Sequence, residues 1–375
     1  MSVREISEKD LPRLADYLPT QPRFSRTTKE TWERRFHIWW ASNPAFTDQF
    51  PRGWILETDT ALVGFIGSVP VKFLMYGEDK TAVAAVAWYV DPSVRGFSSL
   101  KLLNEYLKQK EVPLFLYNTD EKDLRKLLYK NKFKEYVLPR YQTKYYFILN
   151  KYKIITILIR LNVLKRCGSF TSLWEMLREI ASFIGGSLHQ KAAARLRSLH
   201  EKGYSVSLCT SCDESFSKIW GSCVPRCDVT MSRDIQTLNW LYFSSIQPSD
   251  RLVIQCRRTL DNSLAGYMVF DIQRTEPWSE MALMKLMDMC IEGYDPNVIT
   301  LLLQFAMEKG KQNQAGVLEL WALDEETETY LKSNFRIKRN DQHHNLFRLS
   351  GIREAQSEFP TICPSMIAPP RGIDH

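Results

Sequence analysis

Cysteine and histidine are scarce in this sequence, and the cysteines are unevenly placed. The 375-residue chain has eight cysteines and six histidines, and its first cysteine is Cys167. An extracellular disulfide framework would not leave so long a stretch without a cross-link, so we expect reduced thiols and an intracellular setting. The histidines form no spacing typical of a metal site, and no Ser-His-Asp arrangement can be assembled from the sequence.

Long apolar runs are also missing. The N-terminal residues Met1–Ile6 have no apolar core of the kind found in secretory signals, which predicts that no such signal is present. The most apolar stretch, residues 145–164, is interrupted by Lys151, Lys153 and Arg160. A membrane-spanning helix needs about 20 mostly apolar residues, so we expect a soluble, cytoplasmic protein.

The composition is that of a globular protein. Hydrophobic residues make up 44% of the chain and charged residues 25%, which excludes a disordered chain, a collagen and a small disulfide-stapled scaffold. The net charge of +7 permits an anionic partner but does not require one. At about 100–200 residues per domain, the length predicts two or three domains.

The chain repeats itself once. In each half an aromatic helix precedes a hairpin with a glycine in its second strand. A third strand, a proline turn with a helix, a fourth strand and a charged helix follow. Landmark residues keep their order at offsets of 200 to 204 residues, and these pairs are Trp40 with Trp240, Gly64 with Gly266, Pro92 with Pro296, and Phe133 with Phe335.

The repeat predicts an α/β (mixed α+β) protein with two tandem domains of one fold, each built on a mixed central sheet. We place the domains at residues 1–149 and 203–351. Residues 150–202 are basic and have helical periodicity, which predicts an amphipathic helical linker. Residues 352–375 hold four prolines and little periodicity, which predicts a flexible tail.

The segment DPSVRGFSSLKLL, residues 91–103, resembles motif A of the GCN5-related N-acetyltransferase (GNAT) superfamily. That motif reads Arg or Gln, two residues, Gly, one residue, and Gly or Ala, at a strand-to-helix turn. Its loop amides and helix N-terminus hold the pyrophosphate of acyl-CoA, because free N–H groups and the helix dipole favour a phosphate. Matched residue by residue, Arg95 takes the first position, Ser98 the first small position and Leu100, which is bulkier than the motif's residue, the second.

The resemblance implies a set of site residues. The residues expected to bind acyl-CoA are Val90, Arg95, Gly96, Phe97, Ser98 and Ser99. Two further positions match the superfamily: Asn118 ends the next strand, and Tyr129 lies on the following helix, where it would protonate the leaving thiolate. A backbone amide between residues 89 and 91 would hold the oxyanion.

Upstream Trp-Trp and Asn-Pro, followed by Gly-Phe-Ile-Gly and Val-Asp-Pro-x-x-Arg-Gly, resemble tandem GNAT-like proteins often encoded with bacterial surface-polysaccharide genes. The resemblance implies an acyl-CoA-dependent N-acyltransferase whose amine acceptor is an amino sugar of a surface glycan. In the second half, residues 294–302 read YDPNVITLL, without a glycine or a basic residue. Asp295 would repel a pyrophosphate there, so we expect no CoA site in that half.

Two other functions stay open. The protein resembles the Fem-type transferases, tandem GNAT-like proteins that take an aminoacyl group from charged tRNA. In that case the basic linker would contact tRNA phosphates, the only nucleic acid we expect. The imperfect motifs also allow a non-catalytic pseudo-acyltransferase that acts as a binding or scaffold protein. Residues 144–166 fit either an interdomain helix or peripheral contact with the inner face of a membrane.

Two residue groups have alternative interpretations. Cys209, Cys212, Cys223 and Cys227 have spacing that can hold zinc, but their positions in the repeat favour ordinary buried thiols, and we favour no metal. The aromatic residues Trp32, Phe36, Trp39 and Trp40 lie on one helix face. That face predicts core packing, with an acceptor or acyl-chain pocket as the alternative.

Overall fold

The structure is a computed structural model. It describes residues 1–118, 121–136, 143–150, 203–221, 229–244, 250–274, 282–322, 325–334, 337–340 and 345–349. The predicted linker beyond residue 150 and the predicted tail at 352–375 lie outside the described residues, as do most residues of the 144–166 segment.

The first half of the chain follows the order predicted by the repeat, with one additional strand at its start and two strands after its charged helix. Its elements are β1 Ser2–Glu5, α1 Leu11–Tyr17, α2 Lys29–Phe36, β2 Gly53–Glu57, β3 Leu62–Met75, β4 Glu78–Val90, α3 Phe97–Leu107, β5 Leu114–Asn118, α4 Lys122–Lys130, β6 Lys134–Tyr136 and β7 Thr143–Ile148. The helix α2 continues into a π-helical turn at His37–Ala41.

The second half has the same succession of hairpin, strand, helix, strand and helix. Its elements are β8 Tyr204–Leu208, α5 Glu214–Gly221, β9 Val229–Met231, α6 Ile235–Phe243, β10 Arg251–Arg258, β11 Leu264–Gln273, β12 Ala282–Ile291, α7 Pro296–Gln312, β13 Ala315–Trp321, α8 Glu325–Asn334, β14 Ile337–Asn340 and β15 Asn345–Leu349. The predicted mixed α+β class is therefore confirmed.

The described strands form two mixed sheets. In the first sheet the strand order is β1-β2-β3-β4-β5-β15-β6, with β9 paired to β3. In the second the order is β14-β7-β13-β12-β11-β10-β8. Among the described strands, each sheet has one parallel pair, β4 with β5 and β12 with β13, at the place where a helix connects the two strands.

The compact units are not contiguous in the chain, which differs from the predicted division at 149 and 203. The first unit contains the elements up to β6 and also β9, α6 and β15 from the second half. The second unit contains β7 from the first half. Backbone pairing is the reason, because β15 lies between β5 and β6 whereas β7 pairs with β13 and β14. The two halves thus exchange their last strands.

The repeated glycines have one structural role. Gly64 of β3 and Gly266 of β11 each pair with the last residue of the neighbouring strand, Val90 and Ile291. A Cβ on Gly64 would lie 3.3 Å from Leu102 of α3, and one on Gly266 would lie 2.9 Å from a side chain of α7. In each unit, glycine therefore lets the helix after the proline turn approach the sheet closely.

The aromatic side chains of α2 form part of the core of the first unit, as predicted. Trp32 and Trp39 are 0% exposed, and Phe36 and Trp40 are 3% and 2% exposed. The rings of Phe36 and Trp40 stack with centroids 5.3 Å apart. This core lies on one face of the first sheet, and α3 and α4 pack on the other face.

Candidate functional site

The turn between β4 and α3 is fixed by its own side chains. The Asp91 carboxylate accepts hydrogen bonds from the Ser93 amide at 2.9 Å and from the Ser93 hydroxyl at 2.6 Å. These bonds hold the pKa of Asp91 below its ordinary value. The Asp91 amide in turn donates to the Val63 carbonyl of β3 at 2.8 Å. These hydrogen bonds fix the shape of the turn.

Gly96 begins the helix α3 and requires its glycine for conformation. Its φ is +96°, and a Cβ at this position would meet nothing within 4 Å, so backbone strain and not crowding excludes other residues. The amides of Ser99 and Leu100 donate to the Gly96 carbonyl at 3.1 and 3.3 Å. Among the described residues, no group accepts a hydrogen bond from the amides of Phe97 and Ser98.

The free amides stand at the positive end of an 11-residue helix, which is a favourable place for an anion. Two cations flank this end. The Arg95 Nε donates to the Val90 carbonyl at 2.9 Å, and the Lys101 Nζ lies 5.2 Å from the centroid of the Phe97 ring. The Phe97 side chain is 73% exposed, whereas Ser98 is buried.

The positive φ of the turn lies at Gly96, two residues before the first small position of the sequence interpretation. Leu100, the second small position in the sequence interpretation, lies inside the helix with its amide already bonded. Gly96 has the positive φ, and Ser98 follows two residues later at 6% exposure. The spacing Gly-x-small is therefore met by Gly96 and Ser98, and the motif's Arg or Gln position then falls on Ser93.

The strands β4 and β5 separate beside this turn. Their parallel ladder pairs only Val83 with Phe115 and Ala84 with Leu116, although β4 continues to Val90. A bulge near Ala87, whose φ is +50°, bends β4 where the pairing ends. We call the opening between the last residues of β4 and β5 the β4–β5 cleft.

Peptide groups of β4 face the β4–β5 cleft. The Asp91 amide donates to β3, and in an antiparallel ladder alternate residues bond to the same neighbour. Tyr89 and Asp91 therefore bond toward β3, whereas Trp88 and Val90 point the opposite way. Of the amides between 89 and 91 considered from sequence, only that of Val90 faces the cleft.

The sequence interpretation missed a residue at the mouth of this cleft. Arg23 lies in a short turn, Pro22–Phe24, between α1 and α2. Its Nη1 donates to the Trp88 carbonyl at 3.4 Å and to Glu121, the residue before α4, at 3.2 Å. Arg23 stands in an irregular segment without hydrophobic periodicity, so no sequence pattern indicates its role.

The two predicted catalytic residues lie on the elements that follow. Asn118 is the last residue of β5, where its backbone pairs with Asn345 of β15. Tyr129 lies in the last turn of α4 and is 42% exposed. α4 packs on the same face of the sheet as α3 through its leucines.

The corresponding turn of the second unit is already capped. Asp295 precedes α7, and its carboxylate accepts from the Asn297 amide at 2.8 Å and from the Tyr204 hydroxyl at 3.1 Å. Pro296, the first helical residue, has no N–H to offer. A carboxylate therefore occupies the helix N-terminus that is open in α3.

The corresponding cleft of the second unit is also closed. The Trp321 indole of β13 donates to the Leu286 carbonyl of β12, beyond the last ladder pair, Lys285 with Glu319. The buried Glu319 carboxylate lies 3.0 Å from Lys144 and 3.2 Å from Lys285. Burial alone would raise the pKa of Glu319, but the two ammonium groups lower it to about 2.

Of the two described cysteines of this group, Cys212 is buried and Cys209 is partly exposed. Burial raises the pKa of Cys209 and Cys212, and the Cys209 thiol donates to the Ser211 carbonyl. Cys223 and Cys227 lie outside the described residues. In the described part of the chain, no three His, Cys, Asp or Glu side chains are grouped to hold a metal ion. No described helix is long and apolar enough to cross a bilayer.

A cavity of about 280 Å³ opens on the α1–α2 face of the first unit. Phe36 and Trp40 line it, together with Glu8, Glu33, His37 and Arg52. Phe36 and Trp40 are almost fully buried, so most of their surface packs in the core and little of it faces the cavity.

Comparison with known proteins gives a likeness of fold. No protein-family model matches the chain, and no curated protein matches its sequence. Among solved structures, the chain is similar to a GCN5-related N-acetyltransferase from Anabaena variabilis, with 9% identity and a TM-score of 0.54 over 93% of this chain and 72% of that one. A probable N-acyltransferase from Enterococcus faecalis gives 8% identity and 0.53 over the same shares.

Saccharomyces cerevisiae N-myristoyltransferase with bound myristoyl-CoA and inhibitors is a third similar structure. Its identity is 14% and its TM-score 0.50, over 92% of this chain and 79% of that one. At such low identity these likenesses show the fold alone. The chain therefore has a GNAT-like fold.

Proposed function

We propose that this protein is an acyl-CoA-dependent N-acyltransferase whose site lies in its first compact unit. The observation that carries the proposal is the pair of free amides, Phe97 and Ser98, at the N-terminus of α3 beside the β4–β5 cleft. The pyrophosphate would bind these amides, and the acyl chain would run along the end of β4. The similar structures, N-acetyltransferases and an N-myristoyltransferase with bound myristoyl-CoA, support it.

The chemistry would be direct transfer. The Val90 amide, which faces the cleft, would donate a hydrogen bond to the thioester oxygen as it gains charge. The acceptor amine attacks the thioester carbon, the carbon–sulfur bond breaks, and the amine loses a proton to solvent. Tyr129 would give a proton to the leaving thiolate, and Asn118 would lie across the cleft at the end of β5.

The second unit would support the fold without binding acyl-CoA. Asp295 and Pro296 leave the start of α7 unsuited to a phosphate, and Trp321 occupies the cleft of that unit. The proposed acceptor is an amine, with an amino sugar of a surface glycan as the candidate that the sequence resemblance supports. Contact with the inner face of a membrane remains part of this proposal.

Isothermal titration with acetyl-CoA and longer acyl-CoAs tests the proposal. Gly96→Ala forces a side chain into a positive φ and should weaken binding about tenfold or more, because the amides of the turn shift. Gly77→Ala is the matched control, since Gly77 also has a positive φ and open space but lies in the β3–β4 turn. A folded wild-type protein that binds no acyl-CoA would refute the proposal.

The two alternative functions predict other results in the same samples. A transferase of the Fem type would bind charged tRNA with an affinity that falls steeply with salt. A non-catalytic protein would bind no acyl-CoA, and restoring Leu100→Gly would not be expected to create binding, because Leu100 already lies inside α3.

A further inference from the structure

Arg23 holds a carboxylate at the mouth of the β4–β5 cleft. Its Nη1 atom is shared between the Trp88 carbonyl of β4, at 3.4 Å, and the Glu121 carboxylate, at 3.2 Å. Glu121 immediately precedes α4, so it lies on the β5 side of the cleft. The arginine thus connects the two sides of the opening through one terminal nitrogen.

Most donors of this guanidinium are unused. Arginine has five N–H groups in a planar fork, and among the described residues only Nη1 of Arg23 makes a hydrogen bond. The Arg23 side chain is 44% exposed and that of Glu121 is 62% exposed. An exposed pair of this kind contributes little stability, so a second carboxylate can replace Glu121 at small cost.

The position of Arg23 relates it to the proposed reaction. Trp88 and Val90 both face the cleft and lie two residues apart on an extended strand, which is about 7 Å. A carboxylate bound by Arg23 would therefore lie at the same strand end as the Val90 amide, the proposed contact of the thioester oxygen. Arg95 already bonds the Val90 carbonyl, which leaves Arg23 as the second cation at this strand end.

We infer that Arg23 binds a substrate carboxylate close to the reacting thioester, in place of Glu121. This inference rests on the proposed function. The carboxylate has two possible sources, an acceptor that is an amino acid or an acyl group that ends in a carboxylate. In either case the substrate carries a negative charge at this end. A neutral amino sugar combined with a simple acyl group carries no such charge.

Binding measurements on the full chain separate the two sources. With the protein saturated by CoA, N-acetylglycine is compared with N-acetylglycinamide, as product analogues that differ only in the carboxylate. Separately, succinyl-CoA is compared with butyryl-CoA. We expect the carboxylate to bind about threefold to fivefold more tightly in one of the two pairs. The pair that shows the preference identifies the source.

Variants test the assignment to Arg23. Arg23→Gln should abolish the preference, whereas Glu121→Gln should increase it because the competing carboxylate is gone. Arg26→Gln, another exposed arginine of the same segment, is the control and should leave the preference unchanged. Equal binding within both pairs, or a preference that survives Arg23→Gln, would overturn the inference. Acetyl-CoA binding by the wild type separately reports whether the proposed function holds.

Discussion

Tyr129 is the side chain to which the proposed reaction gives a purely chemical role. It is 42% exposed on α4 and lies outside the phosphate turn. Tyr129→Phe should therefore lower kcat about 100-fold by removing the proton donor, while the affinity for acyl-CoA stays the same. Steady-state kinetics and titration calorimetry measure the two quantities separately.

Tyr330→Phe is the control for this change. Tyr330 is the corresponding residue of α8, and its hydroxyl lies 2.7 Å from that of Thr300 in the second unit. We expect an unchanged kcat, because the second unit is proposed to hold no acyl-CoA. An equal loss of kcat in both variants would contradict the assignment of the reaction to the first unit.

Glu319 is a buried residue whose loss should destabilise the second unit. Its carboxylate is shared by the buried Lys144 and Lys285, so Glu319→Gln leaves two buried ammonium groups without it. We expect a decrease of about 3 kcal/mol in the free energy of unfolding at pH 7, measured by urea titration. Glu292→Gln, which removes an exposed pair with Arg258 in the same unit, should cost less than about 1 kcal/mol.

The pH dependence of this effect has a definite sign. The folded-state pKa of Glu319 is about 2, below its ordinary value of 4.5. The stabilisation is therefore complete above about pH 4.5 and is lost as the pH falls toward 2. The difference in unfolding free energy between the wild type and Glu319→Gln should shrink across this window, and a constant difference would argue against the ion cluster as its cause.

At the scale of elements, α6 joins the first unit although the repeat placed it in the second. The Trp240 indole donates to the Ile38 carbonyl at 2.8 Å, inside the core formed by α2. Trp240→Phe leaves that buried carbonyl without its donor and should destabilise the first unit by about 1–2 kcal/mol. Hydrogen exchange resolved by segment measures this, with faster exchange expected in α2 and no change in β12.

The elements themselves were largely predictable from sequence because their signals are local. The hairpin of β2 and β3 follows from alternation, and the presence of a helix after β4 follows from the proline turn. The short strand β1 was missed, since four residues give little alternation. Leu100 was placed at a small position because spacing alone does not show where a helix begins, and the positive φ of Gly96 settles that start.

Contacts between side chains of different elements could not be predicted from the sequence. Arg23 and Glu121 are 98 residues apart, and nothing local marks their contact. The closure of the second cleft by Trp321 was equally hidden, because an aromatic residue at the end of a strand is usually core. The sequence did predict that the second turn is unsuited to a phosphate. The acidic Asp295 and the lack of a basic residue there are visible in the sequence itself.

For the whole molecule, the exchange of last strands was not predictable, because alternation identifies a strand but not its partner. The residue pattern of β7 is compatible with either sheet, and its position in the chain suggested that it belongs to the first sheet. The observed pairing of β7 with β13 and of β15 with β5 gives each sheet a strand from the other half. A cut between the halves therefore removes a strand from both sheets.

Truncation at the C-terminus tests this exchange directly. A chain that ends after residue 343 lacks β15, so β5 loses the strand that it shares with β6 and becomes an edge. We expect this chain to lose cooperative unfolding of the first unit, together with acyl-CoA binding, as followed by thermal unfolding and calorimetry. A chain that ends after residue 349 keeps β15 and serves as the control, with both properties retained. Equal melting temperatures for the two chains would show that β15 does not stabilise the first sheet.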